Sequence, residues 1–301
     1  MAKDLDKYIN DIEKQTGKLT KEVEQQLKKE YQALAKKILG ELANVHSKYE
    51  KDGKLTYEEM LKYNRLNSLL TTINDFIDDL TKGEYKVIAE GIKDNYKLSY
   101  EYLAYAFEKE TQAYLNYSRL KAEQIQASID NPVSGLTLND TLQKNRAQII
   151  YEVKRLVTQS IYQGYSYGKT ANLLKQTFQN DYVKSVRVAR TEMHRVIEKG
   201  KHDSAMKAQE EGVVETKTWK CMRDSRVRDT HNRLHGQTVK VGEMFDLGYG
   251  EKGEAPSNTG YAHHDCNCRC YLKYTVVDVQ KPKRPKLQEM QFEEWRKKRL
   301  K

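Results

Sequence analysis

The sequence is short of proline, of apolar side chains and of long apolar runs, and each shortage excludes something. Only 4 of 301 residues are proline and 38% are apolar, against 32% charged. That balance argues against one large, tightly filled globule and suits long, solvent-exposed helices. At this length the chain still buries a substantial core and has room for two domains. No apolar run approaches the roughly 20 residues that cross a bilayer, so no membrane-spanning segment is expected. The polar N-terminus lacks the apolar stretch of a signal peptide, which predicts synthesis and folding in a cytoplasm. Cysteine is scarce too, and all 4 copies fall between Trp219 and Tyr271. Cys266, Cys268 and Cys270 alternate too closely for unstrained bridges among themselves. Reduced thiols or metal ligands are expected instead. Asn116-Tyr117-Ser118 and Asn139-Asp140-Thr141 match a glycosylation sequon, but without secretion they count as chance.

Charge is plentiful and unevenly placed. Residues 1–130 carry 21 basic and 23 acidic side chains, residues 131–280 carry 23 and 17, and residues 281–301 carry 9 and 3. The whole excess of +10 is therefore C-terminal. Such asymmetry suits an interface with nucleic acid or an acidic protein surface, and it also fits a merely soluble lysine-rich protein.

Along the chain, Leu5, Tyr8, Ile9 and Ile12 form a short apolar stripe. After Gly17 a longer one runs through Leu27, Tyr31, Leu34, Ile38, Leu42, Val45 and Tyr49 at near-heptad spacing. A turn at Lys51-Asp52-Gly53-Lys54 and a capping box of Thr56 with Glu59 predict a second helix to about Thr81, hence a helical hairpin. A third helix is expected from Gly83 to about Ile129, where Asp130-Asn131-Pro132 stops it. Its seven tyrosines (Tyr85, Tyr96, Tyr100, Tyr102, Tyr105, Tyr114 and Tyr117) suit a packed helix rim, a subunit interface or base stacking. A helix from Thr137 toward Gly164, a short one over 169–178 and a longer one over 181–211 follow. After Gly212 the pattern alternates, predicting a strand over 213–222. Asp224 is placed to cap a helix carrying His231 and His235, with Gly236 as its stop. A second strand is expected over 237–241, an exposed glycine-rich loop over 247–261 and a third strand over 269–279. The fold class is α+β, divided into a helical region of hairpins (1–178), a small α+β domain (179–280) and a basic tail (281–301). The tail reads as a solvated segment or as a short basic amphipathic helix anchored by Met290, Phe292, Trp295 and Leu300. Its Lys281, Lys283, Arg284, Lys286, Arg296, Lys297, Lys298 and Arg299 are the candidate cations for nucleic acid or a partner.

The chemistry concentrates at two ends of one stretch, Trp219 to His235 and His263 to Cys270. Neither end alone has a complete ligand set at a familiar spacing, but folded together they supply tetrahedral nitrogen and sulfur. Cys221, His231, Cys268 and Cys270 are the candidate ligands, with His235, His264 and Cys266 in reserve. Thiolates and imidazoles at this density suit zinc. Cys268 and Cys270, two apart on a strand, point to one face and Arg269 to the other. A buried, hydrogen-bonded cluster without metal fits the same residues. Arg190, Glu192, Asp224, Arg226, Arg228 and Arg269 suit a polar network fixing the α+β core.

Taken in order, these pieces carry a resemblance. Ala189-Arg190-Thr191-Glu192 on a helix is followed by a strand ending near Trp219. Next comes Asp224-x-Arg226-x-Arg228-x-x-His231-x-x-Leu234-x-Gly236, and then Asn267-Cys268-Arg269-Cys270 leading into a strand. Over about residues 180 to 275 this resembles the head morphogenesis domain of phage Mu F-like minor head proteins. The family often places histidine where Asp265 stands; here the histidines are His263 and His264. The resemblance implies a tailed-phage or prophage virion component, made in the bacterial host cytoplasm and lodged in few copies inside the head near the portal vertex. Portal protein and double-stranded DNA are the implied partners, with scaffold or major capsid protein as further ones, and the implied roles are head morphogenesis, DNA packaging and ejection. It implies no enzyme. The alternative is a zinc-dependent nuclease or toxin-like enzyme carried in the virion, with Glu192 or His231 as base.

Overall fold

The computed structural model describes residues 3–133, 135–222, 224–280 and 289–300. Lys281, Lys283, Arg284 and Lys286 lie outside the described residues. The fold is α+β, with long helices preceding a small region of antiparallel strands. Strand β1 (Lys3–Asp4) leads into α1 (Asp6–Tyr49), then α2 (Tyr57–Leu61), α3 (Arg65–Thr111), α4 (Ala122–Asp130), α5 (Leu138–Tyr162) and α6 (Tyr167–Glu210). Then come β2 (Val213–Lys220), α7 (Asp229–Leu234), β3 (Thr238–Lys240), β4 (Phe245–Gly248), β5 (Glu251–Gly253), α8 (Ala262–Asp265), β6 (Tyr271–Val279) and α9 (Phe292–Arg299). No helix of the described residues is long and apolar enough to cross a membrane.

Three helices are longer than the sequence pattern predicts. The two apolar stripes either side of Gly17 lie on one helix of 44 residues; an interior glycine costs only about 1 kcal/mol, which the continuing apolar face absorbs. α3 likewise runs through Gly83 without a break. The expected second helix is instead interrupted at residues 62–64, where Tyr63 and Asn64 take positive φ. α6 replaces the two helices expected either side of Asp181. In the opposite sense, α3 stops at Thr111 rather than at Ile129. Neither glycine nor proline marks that stop. Leu115 and Tyr117 leave the helix to enter the core, the Leu115 amide donates to Glu108 Oε1 (2.8 Å) and the Tyr117 hydroxyl to the Ser204 carbonyl (2.8 Å). Four of the tyrosines of α3 pack inward, Tyr96, Tyr100, Tyr102 and Tyr105, with Tyr96 and Tyr102 donating to Asp203 and Asp11, while Tyr85 is exposed.

The chain divides into two compact units, each drawn from separated segments. One comprises Met1–Lys21, Ala89–Thr137 and Ala189–Lys301; the other, Glu22–Ile88 and Leu138–Val188. The first holds the four-stranded antiparallel sheet, ordered β1-β6-β2-β3, and an apolar core that includes Leu5, Ile12, Leu103, Phe107, Trp219, Phe245, Leu272 and Trp295. β2 alternates buried and half-buried residues, as a strand packed on one face must. Within the stretch expected as a loop, β4 and β5 form a hairpin. Its turn places Tyr249 and Gly250 at φ +56° and +82°, the left-handed backbone that a tight hairpin of matching twist needs.

The second unit is helical, with a core of Ile38, Leu42, Ile73, Ile77, Val153, Val157 and Leu174 among others. Inside it the Tyr31 hydroxyl lies 2.9 Å from Glu84 Oε1 and 2.8 Å from Asp181 Oδ2. One phenol proton serves only one carboxylate, and burial pushes the Glu84 carboxyl up to about 7, with the nearby Asp181 charge adding to the rise. The sign follows from linkage: between the ordinary carboxylate range and 7 the folded state keeps a proton that the unfolded chain gives up, so stability falls as pH rises across that window. Glu84→Gln, neutral throughout, should remove this loss, a difference on the order of 3 kcal/mol above pH 7. Thermal melts of parent and variant from pH 4.5 to 8 check it; parallel profiles would refute the assignment.

Candidate metal centre

Sheet register builds the site. Lys220 pairs with Tyr271, so the next step out of β2 and β6 sets Cys221 beside Cys270. Their Sγ atoms are 3.2 Å apart. Cys268 and Cys270 turn to one face, as their spacing requires, and lie 3.7 and 3.4 Å from His231 Nδ1. Arg269, between them, turns outward to a two-pronged bond with Asp224 (2.7 and 2.6 Å). His231 comes from α7 and is buried under the Trp219 ring, edge-on with centroids 5.5 Å apart. The ligand atoms of His231, Cys268 and Cys270 all lie within 4.8 Å of one another. Cys221 adjoins this group through Cys270 alone, its own Sγ lying 3.0 Å from the His231 carbonyl. The hydrogen bond with Cys270 holds the Cys268 thiol well below its usual range against the opposing effect of burial, and bonds with His194 and His231 add to the lowering.

A second line of polar atoms backs the first. His231 Nε2 is 3.0 Å from His264 Nδ1, the two rings lie nearly parallel at 5.2 Å, and His264 Nε2 is 3.0 Å from Glu251 Oε2. His263, on the exposed side of α8, reaches the same Glu251 oxygen at 3.0 Å. Burial alone would raise the Glu251 carboxyl; the bonds from His263 and His264 outweigh it and hold it below its usual range. Between the paired histidines it is therefore His264 that faces inward. Asp265, where the family often has histidine, is buried and accepts from the Thr259 amide, the Thr259 hydroxyl and the Gly260 amide. That carboxylate shapes the loop before α8.

The remaining candidates separate into smaller groups. α7 begins at Asp229 with Arg228 at its N-cap, so Asp224 does not cap it; Asp224 accepts the Arg226 amide in a turn and pairs with Arg269 at the surface. His235 lies just past α7, and its Nδ1 accepts the Cys221 amide (3.0 Å). Arg228 donates to the carbonyls of His264 (3.4 Å) and Cys266. Glu192 is buried against Arg195, which bonds it at 2.9 and 2.8 Å and also donates to the Ser128 carbonyl. Arg190 stands two residues before Glu192 on the same helix, α6. Sequence reasoning left Arg195, Glu251 and His194 unassigned, the last with Nε2 at 2.8 Å from the Cys270 carbonyl. A signal existed for Arg195, which stands three residues after Glu192 on a helix.

On α9, Phe292, Trp295 and Leu300 are buried in the chain's own core. Arg296 pairs with Glu101 (2.6 Å) and Arg299 with Glu108 (2.7 Å), while Lys297 and Lys298 are exposed.

The phage Mu protein F like family model matches residues 151–273, which contain every part of this centre. Beyond it, the chain is 33% identical over 279 residues to minor head protein GP7 of Bacillus phage SPP1, covering 93% of this chain and 88% of that protein. The chain belongs to the phage Mu protein F like family. It is thereby a minor head protein of a phage and a component of the virion. It is also 27% identical over 225 residues to the NAD(+)--arginine ADP-ribosyltransferase EFV of Enterococcus faecalis, covering 75% of this chain but 45% of that protein. More than half of that relative lies outside the match, and its named activity remains its own. No solved structure matches the chain. The match to the family reaches back onto α5, about 30 residues before the motifs that suggested it, and the likeness to the SPP1 protein takes in the helices that carry no motif at all.

Proposed function

We propose that this head protein sits inside the capsid at the portal vertex, bound to the portal protein, and acts without turnover in head morphogenesis, DNA packaging and ejection. Scaffold or major capsid protein is a further partner during assembly in the host cytoplasm. The observation that carries the reading is the 33% identity to minor head protein GP7 along nearly the whole chain. The charge distribution supports binding to double-stranded DNA: residues 131–301 hold 32 basic against 20 acidic side chains, and residues 281–301 alone hold 9 against 3. Arg296 and Arg299 are engaged by the buried Glu101 and Glu108, so the cations proposed to meet DNA are Lys297 and Lys298, the latter paired with the exposed Glu294, together with Lys281, Lys283, Arg284 and Lys286. A catalytic role for Glu192 or His231 is not supported, since both are buried and bonded to Arg195 and His264.

Two measurements test this. Binding to double-stranded DNA should weaken linearly in log affinity against log salt, and neutralising Lys281, Lys283, Arg284 and Lys286 together should flatten that slope by up to about four, close to one for each phosphate-facing cation removed. The protein should co-sediment with assembled portal and should neither release nicotinamide from NAD+ nor cut DNA. Failure to bind DNA at low salt together with failure to co-sediment with portal would overturn the proposal, and turnover in either assay would move the chain to the enzyme class.

A further inference from the structure

We propose that Cys221, His231, Cys268 and Cys270 hold a zinc ion, and that Glu251, acting through His264, fixes the tautomer in which His231 binds it. Proton accounting leads there from the far end. A carboxylate only accepts, so Glu251 Oε2, 3.0 Å from His264 Nε2, requires the proton on that nitrogen. Neutral His264 then carries its lone pair on Nδ1, which lies 3.0 Å from His231 Nε2 and must accept from it. Neutral His231 is left with its lone pair on Nδ1. That lone pair faces two buried thiols, Cys270 at 3.4 Å and Cys268 at 3.7 Å. Three electron-pair donors gathered around one point, away from water, are a ligand set awaiting a cation.

The distances fit zinc. Around a tetrahedral ion with bonds of about 2.0 to 2.3 Å, ligand atoms sit roughly 3.5 to 3.8 Å from one another. His231 Nδ1 lies 3.4 and 3.7 Å from Cys270 and Cys268, close to those separations, whereas Cys221, 3.2 Å from Cys270, stands outside the group whose ligand atoms all lie within 4.8 Å of one another and has to swing toward it. Cys221 moves most, giving up the His231 carbonyl as its thiol loses its proton. The four ligands come from both ends of the 219–271 stretch, so the ion would tie the start of β6 to α7 and the end of β2. A set of four protein ligands leaves no open coordination position, which makes the ion a structural one. His264 and Glu251 act as positioning residues, as outer partners of metal-bound imidazoles do. The same accounting removes His264 as a ligand at Glu251 and His263, because its Nε2 already carries a proton.

The test uses the full chain purified under reducing conditions. Elemental analysis should find about one zinc per chain. Cobalt substituted for zinc should give the intense visible bands and sulfur-to-metal charge transfer of a tetrahedral thiolate site. Alkylation should label the half-buried Cys266 while the metal is in place and Cys221, Cys268 and Cys270 only after chelation. Cys268→Ser with Cys270→Ser should abolish binding. Should that variant fail to fold, the parent's zinc content, cobalt spectrum and alkylation pattern decide alone. Glu251→Gln keeps every ligand and should weaken zinc binding about 10- to 100-fold in a chelator competition. A metal-free parent with all thiols equally reactive, or a Cys221–Cys270 disulfide in the intact mass, overturns the zinc site; unchanged affinity in Glu251→Gln overturns the positioning role. Neither result bears on portal or DNA binding.

Discussion

Lys201→Met is expected to cost about 3 to 5 kcal/mol, the penalty of breaking a buried ion pair from one side. Lys201 has no solvent exposure and its Nζ lies 2.5 Å from Glu198 Oε1 and 3.0 Å from Glu13 Oε1. Glu198 is equally buried, and its other oxygen accepts the Leu272 amide of β6 at 3.0 Å. The triad thus links α1, α6 and the sheet inside one unit. Burial works against the Lys201 charge, yet its two carboxylates win and raise it to about 12. This raised value adds stability below the ordinary lysine range, lost only as pH climbs through 12. Burial already holds Glu198 above the usual carboxylate range with Lys201 beside it. Without the ammonium that carboxyl rises further, and the variant's deficit should shrink as pH falls and Glu198 takes up a proton. Adding Glu198→Gln to Lys201→Met should recover much of the loss, since the amide still accepts from Leu272 and buries no charge. Urea unfolding at about pH 5 and pH 8 measures all of this. A deficit under about 1 kcal/mol at both pH values would mean that water reaches the pair and that its burial carries no weight.

What the sequence disclosed, and what it hid, follows from how far each signal reaches. Periodicity is local, and it placed α5 and the β2 and β6 strands close to where they lie. Breaks made by tertiary packing are not local. The end of α3 at Thr111 depends on Glu108 accepting the Leu115 amide and on a pocket for Tyr117 near Ser204, and nothing between Phe107 and Lys121 signals it. Continuity through Gly17 and Gly83 was hidden for the converse reason: a glycine suggests a stop, but packing along the rest of the helix overrides a local cost of about 1 kcal/mol. At the site, the alternation of Cys268, Arg269 and Cys270 told which side chains turn inward, because strand geometry is periodic. Glu251 was invisible, since only the β4–β5 hairpin, folded from a stretch that reads as loop, carries it to His264. The likeness to minor head proteins was legible in the order of short motifs, while the helices preceding them needed comparison of whole chains.

Trp295→Ala should destabilise the protein by about 3 to 5 kcal/mol and free the C-terminal helix. The indole is fully buried among Tyr105, Phe292 and the surrounding core, with ring centroids 5.8 Å from Tyr105 and 6.3 Å from Phe292. Its Nε1 donates to Glu108 Oε2 at 2.7 Å. Glu108 has no solvent exposure and also receives Arg299 through two nitrogens and the Leu115 amide. Alanine therefore opens a large cavity and removes one of these donors from a buried carboxylate. Trp295→Phe separates the two effects, since it keeps most of the apolar volume and loses the bond; about 1 to 2 kcal/mol is expected from it. Composition alone suggested a solvated tail, because residues 281–301 are dominated by lysine and arginine. Three apolar side chains outweigh that charge: Phe292, Trp295 and Leu300 are buried together at α9, and Arg296 and Arg299 flank them with buried glutamates of α3 as partners. Limited proteolysis reads the outcome directly. In the parent, cleavage after Lys297 or Lys298 should be slow, and in Trp295→Ala it should accelerate in step with the loss of docking. Equal cleavage rates in the two proteins would show that α9 is not held by its tryptophan, and would return Arg296 and Arg299 to the set of cations available for DNA.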